Sequence, residues 1–160
     1  MAEKGTLIAT VGTPNDTELG KAIGQIQAEI PSRKLRAMTV TVVTEMVSNL
    51  RDHGEPPVGE VRVYLQDDHG IQVVSEGEAS ASHMRALLKK IGAIVKASPR
   101  AKPLLRRLTT RSTGRRNRGR GLYWIAENAT GPDGQPDVSV SQQGNHFVIS
   151  ARLSPLAAVG

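Results

Sequence analysis

The first part of the chain contains a strand-like segment followed by apolar residues at helical spacing. Residues 5–12 predict a short strand, and residues 16–30 predict a helix that ends at Pro31. One side of this helix carries large aliphatic side chains three or four residues apart: Leu19, Ile23, Ile26 and Ile30. Residues 32–37 predict a basic connector to the next helix.

A second helix is predicted from about residue 39 to residue 53. Its apolar positions fall within one helical arc that should face the core: Val40, Val43, Val47 and Leu50. The segment is rich in β-branched residues, which favours a strand, but its i, i+3, i+4 pattern is longer than a typical strand. We therefore predict a helix here.

Turn residues divide the middle of the chain into a hairpin and a third helix. After the break at residues 54–57, residues 60–66 alternate polar and apolar side chains, residues 67–70 form a turn, and residues 71–75 predict the second strand. A helix from about 80 to 97 follows, with one apolar side: Met84, Leu87, Leu88, Ile91 and Ile94.

The C-terminal part begins with a basic segment and ends with two strands. Residues 98–120 carry nine basic side chains, and we predict a mobile loop over about 98–118. Residues 121–128 predict a buried helix, and two closing strands are predicted at 137–142 and 145–152. The order of elements predicts an α+β fold, a two-layer sandwich with helices on one face of a mainly antiparallel sheet.

Composition sets bounds on the class of protein. A chain of 160 residues without an internal repeat or linker fits a single domain over residues 1–160. The absence of cysteine removes disulfides, cysteine-rich zinc sites and thiol nucleophiles. Neither an apolar run of roughly 20 residues nor a signal-peptide pattern is present, so we expect a cytoplasmic protein with no membrane segment.

The net charge of +6 is unevenly distributed, because no acidic residue lies between Glu78 and Glu127. Such a positive field attracts phosphates of any kind. Aromatic residues are scarce: Tyr64, Tyr123, Trp124 and Phe147. A single-strand nucleic-acid binder usually stacks bases on interleaved aromatic side chains, so this scarcity disfavours a nucleic-acid partner.

Two segments carry candidate chemistry. Glu45, Asn49 and His53 are four residues apart, so on a helix they form one stripe, roughly opposite the apolar arc. A carboxylate beside an amide suits phosphoryl transfer, because the amide oxygen can bind Mg²⁺ and the carboxylate can orient or deprotonate a hydroxyl. The alternative is a solvated polar helix face, since these are ordinary surface residues.

The second segment is a glycine-rich loop that runs into the predicted helix at 121–128. Its backbone amides can approach phosphates closely, and flanking arginines add charge-assisted contacts. The candidate phosphate-binding residues are Arg118, Gly119, Arg120, Gly121 and Leu122. The alternative is a flexible basic loop that ends in a glycine.

Residues 44–54 resemble the N box of the GHKL superfamily, which includes histidine kinases and anti-sigma-factor kinases, and Gly119-x-Gly121-Leu122 resembles its later glycine box. The resemblance implies a histidine kinase-like ATPase fold of the Bergerat type, with ATP and Mg²⁺ as cofactors. It implies that Glu45 is the catalytic carboxylate, that Asn49 holds Mg²⁺ with His53 nearby in the ATP site, and that the glycine box wraps the phosphates under an ATP lid.

Between the two boxes, the superfamily usually has an Asp-x-Gly-x-Gly element whose Asp binds the adenine amino group. Here Ser75 occupies the place of that Asp, and Gly77 keeps the first glycine. In length and element order, nearly the whole chain is similar to the SiaB-like protein serine/threonine kinases. This resemblance implies a kinase that phosphorylates a small STAS-like (anti-sigma-antagonist) regulator in a partner-switching pathway, with Ser75 and Gly77 at the nucleotide.

Two further hypotheses remain open. The missing Asp favours a catalytically degenerate GHKL domain that binds and sequesters a sigma-factor or STAS-like partner. The basic run at 98–120 allows a nucleic-acid-binding protein, whose binding would be salt-sensitive and indifferent to sequence. The sequence leaves the identity of the partner and the existence of a homodimer open.

Overall fold

The computed structural model describes residues 5–54, 58–96 and 137–155. The predicted mobile loop and the helix at 121–128 lie outside the described residues. The elements, in chain order, are β1 (Thr6–Val11), α1 (Asp16–Glu29), α2 (Arg33–His53), β2 (Gly59–Leu65), β3 (Ile71–Glu78), α3 (Ala81–Lys96), β4 (Val138–Gln143) and β5 (His146–Leu153).

The strands form one five-stranded sheet in the order β1-β2-β3-β5-β4, and every neighbouring pair is antiparallel. The helices pack on the sheet: α1 contacts β1, α2 contacts β2, β3 and β5, and α3 contacts β4. The prediction of an α+β two-layer sandwich with a mainly antiparallel sheet is confirmed.

Strand alternation separates the core face of the sheet from its open face. In β5, side chains at alternating positions are buried: Phe147, Ile149, Ala151 and Leu153. They join the buried faces of α1 and α2, where Ile26, Met46 and Leu50 are fully buried. Apolar burial between the layers is therefore the main source of stability.

The start of α2 differs from the sequence prediction. Residues 32–37 were expected to be a basic connector, but the helix already begins at Arg33. The side chain of Ser32 caps it by accepting a hydrogen bond from the backbone N–H of Leu35, at 3.2 Å. Leu35 is 3% exposed, so one buried residue and one cap fix the first turn despite its basic side chains.

None of the helices in the described residues is long and apolar enough to cross a membrane.

Candidate functional site

The candidate site is built on α2, where Glu45 and Asn49 lie about one helical turn apart. Their spacing places them roughly opposite Val43, Val47 and Leu50, but the buried arc is wider than these three residues. Val42 and Met46 are also fully buried, which extends the arc towards the polar pair. Residues three apart are neighbours on a helix, so Glu45 borders Val42 and Asn49 borders Met46. Both polar side chains therefore lie at the edge of the core-facing side.

This position leaves the two polar groups half-buried. Burial raises the pKa of the Glu45 carboxyl above its ordinary value of 4.5, because the charged form loses solvation. Among the described residues, no hydrogen bond links the Glu45 carboxylate or the Asn49 carboxamide to another group. Half-buried polar groups without a partner among the described residues are open to water or to a ligand.

His53 is the last residue of α2, one turn beyond Asn49. The following residue, Gly54, ends the helix by donating its backbone N–H to the carbonyl of Leu50 at 3.0 Å. The backbone therefore places His53 at the end of the helix that carries Glu45 and Asn49. Its side chain lies outside the described part of the structure.

The Ser75-x-Gly77 element lies inside β3, whereas the pattern of the sequence predicts a strand that ends at residue 75. Gly77 pairs with Phe147 of β5, and Glu76 pairs with Val148, so the ladder continues to Glu78. The period-2 pattern ends early in the sequence because a glycine takes an inward position that an apolar side chain would normally occupy.

Ser75 lies on the helix-covered face of the sheet. It is 1% exposed and pairs with Val61 on one side and Ile149 on the other, both of which are buried. Because α2 packs against β2, β3 and β5, the hydroxyl of Ser75 is enclosed between the sheet and the helix layer. A serine there is smaller than an aspartate and carries no charge, which reduces the cost of burial.

Gly77 lies where the Ser75–Gly77 segment of β3 packs against α2. A Cβ at this position would lie 2.6 Å from Leu50 Cδ2 and 3.3 Å from Phe147 Cζ. A side chain at position 77 would therefore force the end of the Leu50 side chain to shift. Leu50 directly follows Asn49 in the helix, so the contact places the Ser75–Gly77 segment beside the turn of α2 that carries Asn49.

The open face of the sheet carries an ionic network that the sequence analysis did not predict. Glu76 accepts a hydrogen bond from Arg62 Nη2 at 2.8 Å. In the tautomer of His146 that carries a proton on Nε2, it also accepts one from that atom at 3.0 Å. These residues come from β2, β3 and β5, so the network depends on the strand order. Strand alternation could have placed Arg62 and Glu76 on the outer face, but no pattern in the sequence indicates that β5 lies beside β3.

The structure allows a test of whether the site fits a magnesium ion. The described residues contain no group of three or more His, Asp or Glu side chains that could hold a metal alone. Mg²⁺ in nucleotide sites takes only one or two protein ligands, with phosphates and water supplying the others. The Asn49 carboxamide, half-buried and without a partner among the described residues, fits the role of such a single ligand.

The predicted phosphate-binding residues of the glycine box lie outside the described residues: Arg118, Gly119, Arg120, Gly121 and Leu122. Their role remains a prediction from sequence. The nucleic-acid hypothesis also remains a prediction, because it depends on the basic run at 98–120.

Comparison with known proteins supports the fold. No family model matches the chain, and no curated protein matches it in sequence. Among solved structures, the chain is similar to the SiaB–SiaC complex from Pseudomonas aeruginosa, with a TM-score of 0.69. The match has 17% sequence identity and covers 92% of this chain and 89% of that chain. The SiaB-like fold predicted from the sequence is thus confirmed.

Proposed function

We propose that the protein is an ATP- and Mg²⁺-dependent serine/threonine kinase that phosphorylates a small STAS-like regulator in partner-switching signalling. The observation that carries this proposal is the position of Glu45 and Asn49. They are half-buried, one turn apart on α2, and without hydrogen-bond partners among the described residues.

Two further observations support the proposal. The contact between Leu50 and Gly77 sets the Ser75–Gly77 segment against the turn that carries Asn49. The similar solved structure contains a SiaB–SiaC complex, so a related fold forms a two-protein assembly. By analogy, we propose that this chain also acts on a partner protein, and that this partner is STAS-like.

The two side chains have different roles in the proposed reaction. When bound, ATP would supply the phosphoryl group and Mg²⁺ would offset its negative charge. The Asn49 amide oxygen would hold the ion. Glu45 orients the serine or threonine hydroxyl of the partner and accepts its proton as the oxygen bonds to phosphorus and ADP leaves. Because burial raises the pKa of Glu45, its carboxylate is a stronger base than one in water.

The first experiment measures nucleotide binding and phosphoryl transfer separately. Calorimetry with Mg·ATP measures binding, and γ-labelled ATP with a cell extract detects any labelled small protein. We expect Asn49→Ala to weaken Mg·ATP binding and Glu45→Gln to retain binding while reducing transfer by about 100-fold or more. Asn49→Ala with unchanged binding and transfer contradicts the assignment.

Matched controls are available on α1. Gln25→Ala removes an exposed amide, and Glu29→Gln neutralises an exposed carboxylate, in each case away from the site. Both controls should bind Mg·ATP and transfer phosphate like the unmodified protein. An equal loss in controls and site variants would indicate a general effect on folding.

A second candidate function is favoured by Ser75. The buried hydroxyl at this position cannot replace the charge of the adenine-reading Asp of the GHKL pattern. A domain that had lost nucleotide binding could still bind and sequester a sigma-factor or STAS-like partner. The absence of both heat and a thermal shift at millimolar Mg·ATP would support this function over the kinase.

A further inference from the structure

In the described part of the chain, strand β4 lies at one edge of the sheet and pairs only with β5. The two strands are joined by a two-residue turn at Gly144-Asn145, with Gln143 opposite His146. In a two-residue hairpin, the pair that flanks the turn exchanges both backbone hydrogen bonds, and bonded and non-bonded pairs alternate from there. Consistent with this, the N–H of Arg152 donates to the carbonyl of Asp137 at 3.0 Å.

This alternation determines which backbone groups of β4 point away from β5. Residues 139, 141 and 143 bond to β5, so the N–H and C=O groups of Val138, Val140 and Gln142 are directed towards the free edge. The edge therefore presents three residues with donors and acceptors at the regular spacing of a β-ladder.

Within its own residues, β4 lacks the features that usually prevent edge-to-edge pairing. Its sequence, Val138–Gln143, contains no charged residue and no proline, and its register with β5 is regular. The opposite edge differs, because β1 has a register shift between Leu7 and Ala9. A bulge of this kind twists an edge strand and interrupts pairing. In a chain with a net charge of +6, β4 is thus the neutral edge strand of the described sheet whose register is regular.

We infer that β4 pairs antiparallel with β4 of a second copy of this chain, with Val140 opposite Val140 across a twofold axis. In this register, each of the three residues whose backbone N–H and C=O groups point to the free edge has a partner in the other strand. A shift by two residues in either direction leaves one of them opposite a residue outside β4. The pairing sets Ser139 against Ser141 and Asp137 against Gln143, so no like charges meet. The two sheets then form one continuous sheet.

The helix layer adds to this interface. α3 is the helix that packs against β4, and its Leu88 is 39% exposed. A twofold axis perpendicular to the sheet keeps both helix layers on the same side, so the two α3 helices flank the seam. The inference is independent of the proposed kinase activity, because it rests on backbone pairing away from Glu45 and Asn49.

The first test is the oligomeric state in analytical ultracentrifugation. The N–H of Val140 points away from β5, so Val140→Pro removes a donor only from the free edge and leaves the β4–β5 ladder intact. We expect a dimer for the unmodified protein and an increase in its dissociation constant of about tenfold or more for Val140→Pro, since two backbone hydrogen bonds are lost per dimer. Circular dichroism checks that the variant is folded.

Charged variants provide a matched pair, because Ser139 and Ser141 are both exposed. The double change S139K/S141K places lysines opposite each other and should dissociate the dimer. The double change S139K/S141E places Lys opposite Glu in the same register and should restore it. A monomer for the unmodified protein at about 100 μM, or a dimer that none of these changes affects, overturns the inference.

Engineered cysteines test the register, because the chain has none of its own. Residues 139 and 141 of the two copies form a non-bonded pair with Cα atoms about 4.5 Å apart, within the range for a disulfide. A mixture of a tagged S139C variant and an untagged S141C variant should therefore give a cross-linked dimer under oxidation. Each variant alone should not, since the diagonal distance is about 7–8 Å. Equal cross-linking in all three samples contradicts the proposed register.

Discussion

Gly77 of β3 lies against Leu50 of α2 so closely that a Cβ at position 77 would be 2.6 Å from Leu50 Cδ2. The resemblance to the GHKL superfamily implies that Gly77 lies at the nucleotide, because it matches the first glycine of the Asp-x-Gly-x-Gly element. The structure gives this residue a packing role as well, because a side chain at position 77 would displace the fully buried Leu50 side chain within the core. The two roles predict different results on substitution.

We expect Gly77→Ala to lower the free energy of unfolding by about 1–3 kcal/mol, since the added methyl overpacks the contact with α2. Urea denaturation measures this loss. Shortening Leu50 to Ala in the same chain should make the Gly77→Ala change less costly, because the atom it meets is gone.

The matched control is Gly24→Ala in α1, where a Cβ would meet no atom within 4 Å. This change should stabilise the protein by about 0.5–1 kcal/mol, as alanine favours the helix. If Gly77→Ala left stability unchanged and removed only nucleotide binding, the packing role would be wrong.

Asp68 joins the β2–β3 turn to the end of β5. One carboxylate oxygen accepts the backbone N–H of Gly70 at 2.8 Å, and the other accepts a hydrogen bond from Arg152. The hydrogen bond from Gly70, followed by that from Arg152, lowers the pKa of Asp68 below its ordinary value of 3.8. The ionised form is therefore favoured by folding.

This lowered pKa predicts how the contribution of Asp68 depends on pH. The stabilisation is present above pH 3.8, the value in the unfolded chain, and is lost as the pH falls through the lower folded value. Asp68→Asn should reduce stability by about 0.5–1 kcal/mol at pH 7, and the difference should shrink in acid. A difference that stayed constant down to pH 2 would contradict this account. Asp67→Asn in the same turn is the control.

The Glu76 carboxylate connects β2 and β5 through Arg62 and His146. The side chains of Arg62 and Glu76 are only 24% and 33% exposed, so their interaction is less screened than that of a typical surface pair. We expect Glu76→Gln to lower the free energy of unfolding by about 1 kcal/mol in thermal or urea denaturation. Glu78→Gln, at the exposed end of the same strand, should change it by less than about 0.5 kcal/mol.

How much of the fold follows from sequence can be seen by comparing α1 with α2. The period of apolar residues in α1 correctly predicted a helix over 16–30, and the observed helix is Asp16–Glu29. In α2, the same kind of pattern does not predict the first turn, because most side chains there are basic and only Leu35 is buried. The cap at Ser32, which fixes this turn, does not contribute to the apolar period. Local periodicity identifies an element, whereas its ends depend on caps and on single buried contacts.

The candidate site was partly predictable for a similar reason. Helical spacing places Glu45 and Asn49 on one stripe, but it does not show that their helix neighbours Val42 and Met46 are buried in the core. The approach of Gly77 to Leu50 joins segments far apart in sequence, and the partners of Glu76 depend on a strand order that no local pattern encodes. Long-range packing therefore determines the environment of residues whose identity the sequence already suggested.

The raised pKa of Glu45 predicts a linked pH dependence of stability and activity. Because burial disfavours the charged carboxylate, its contribution to stability is full below pH 4.5 and is lost as the pH rises through the higher folded value. The glutamine in Glu45→Gln does not ionise, so this variant should match the unmodified protein in acid and exceed its free energy of unfolding at neutral pH.

Phosphoryl transfer by the unmodified protein should rise over the same pH window, since only the ionised carboxylate accepts the proton. Urea denaturation and transfer rates measured between pH 4 and pH 8 test both effects on one sample. If the stability difference develops as expected and the transfer rate does not rise with it, Glu45 is a buried carboxylate but not the base.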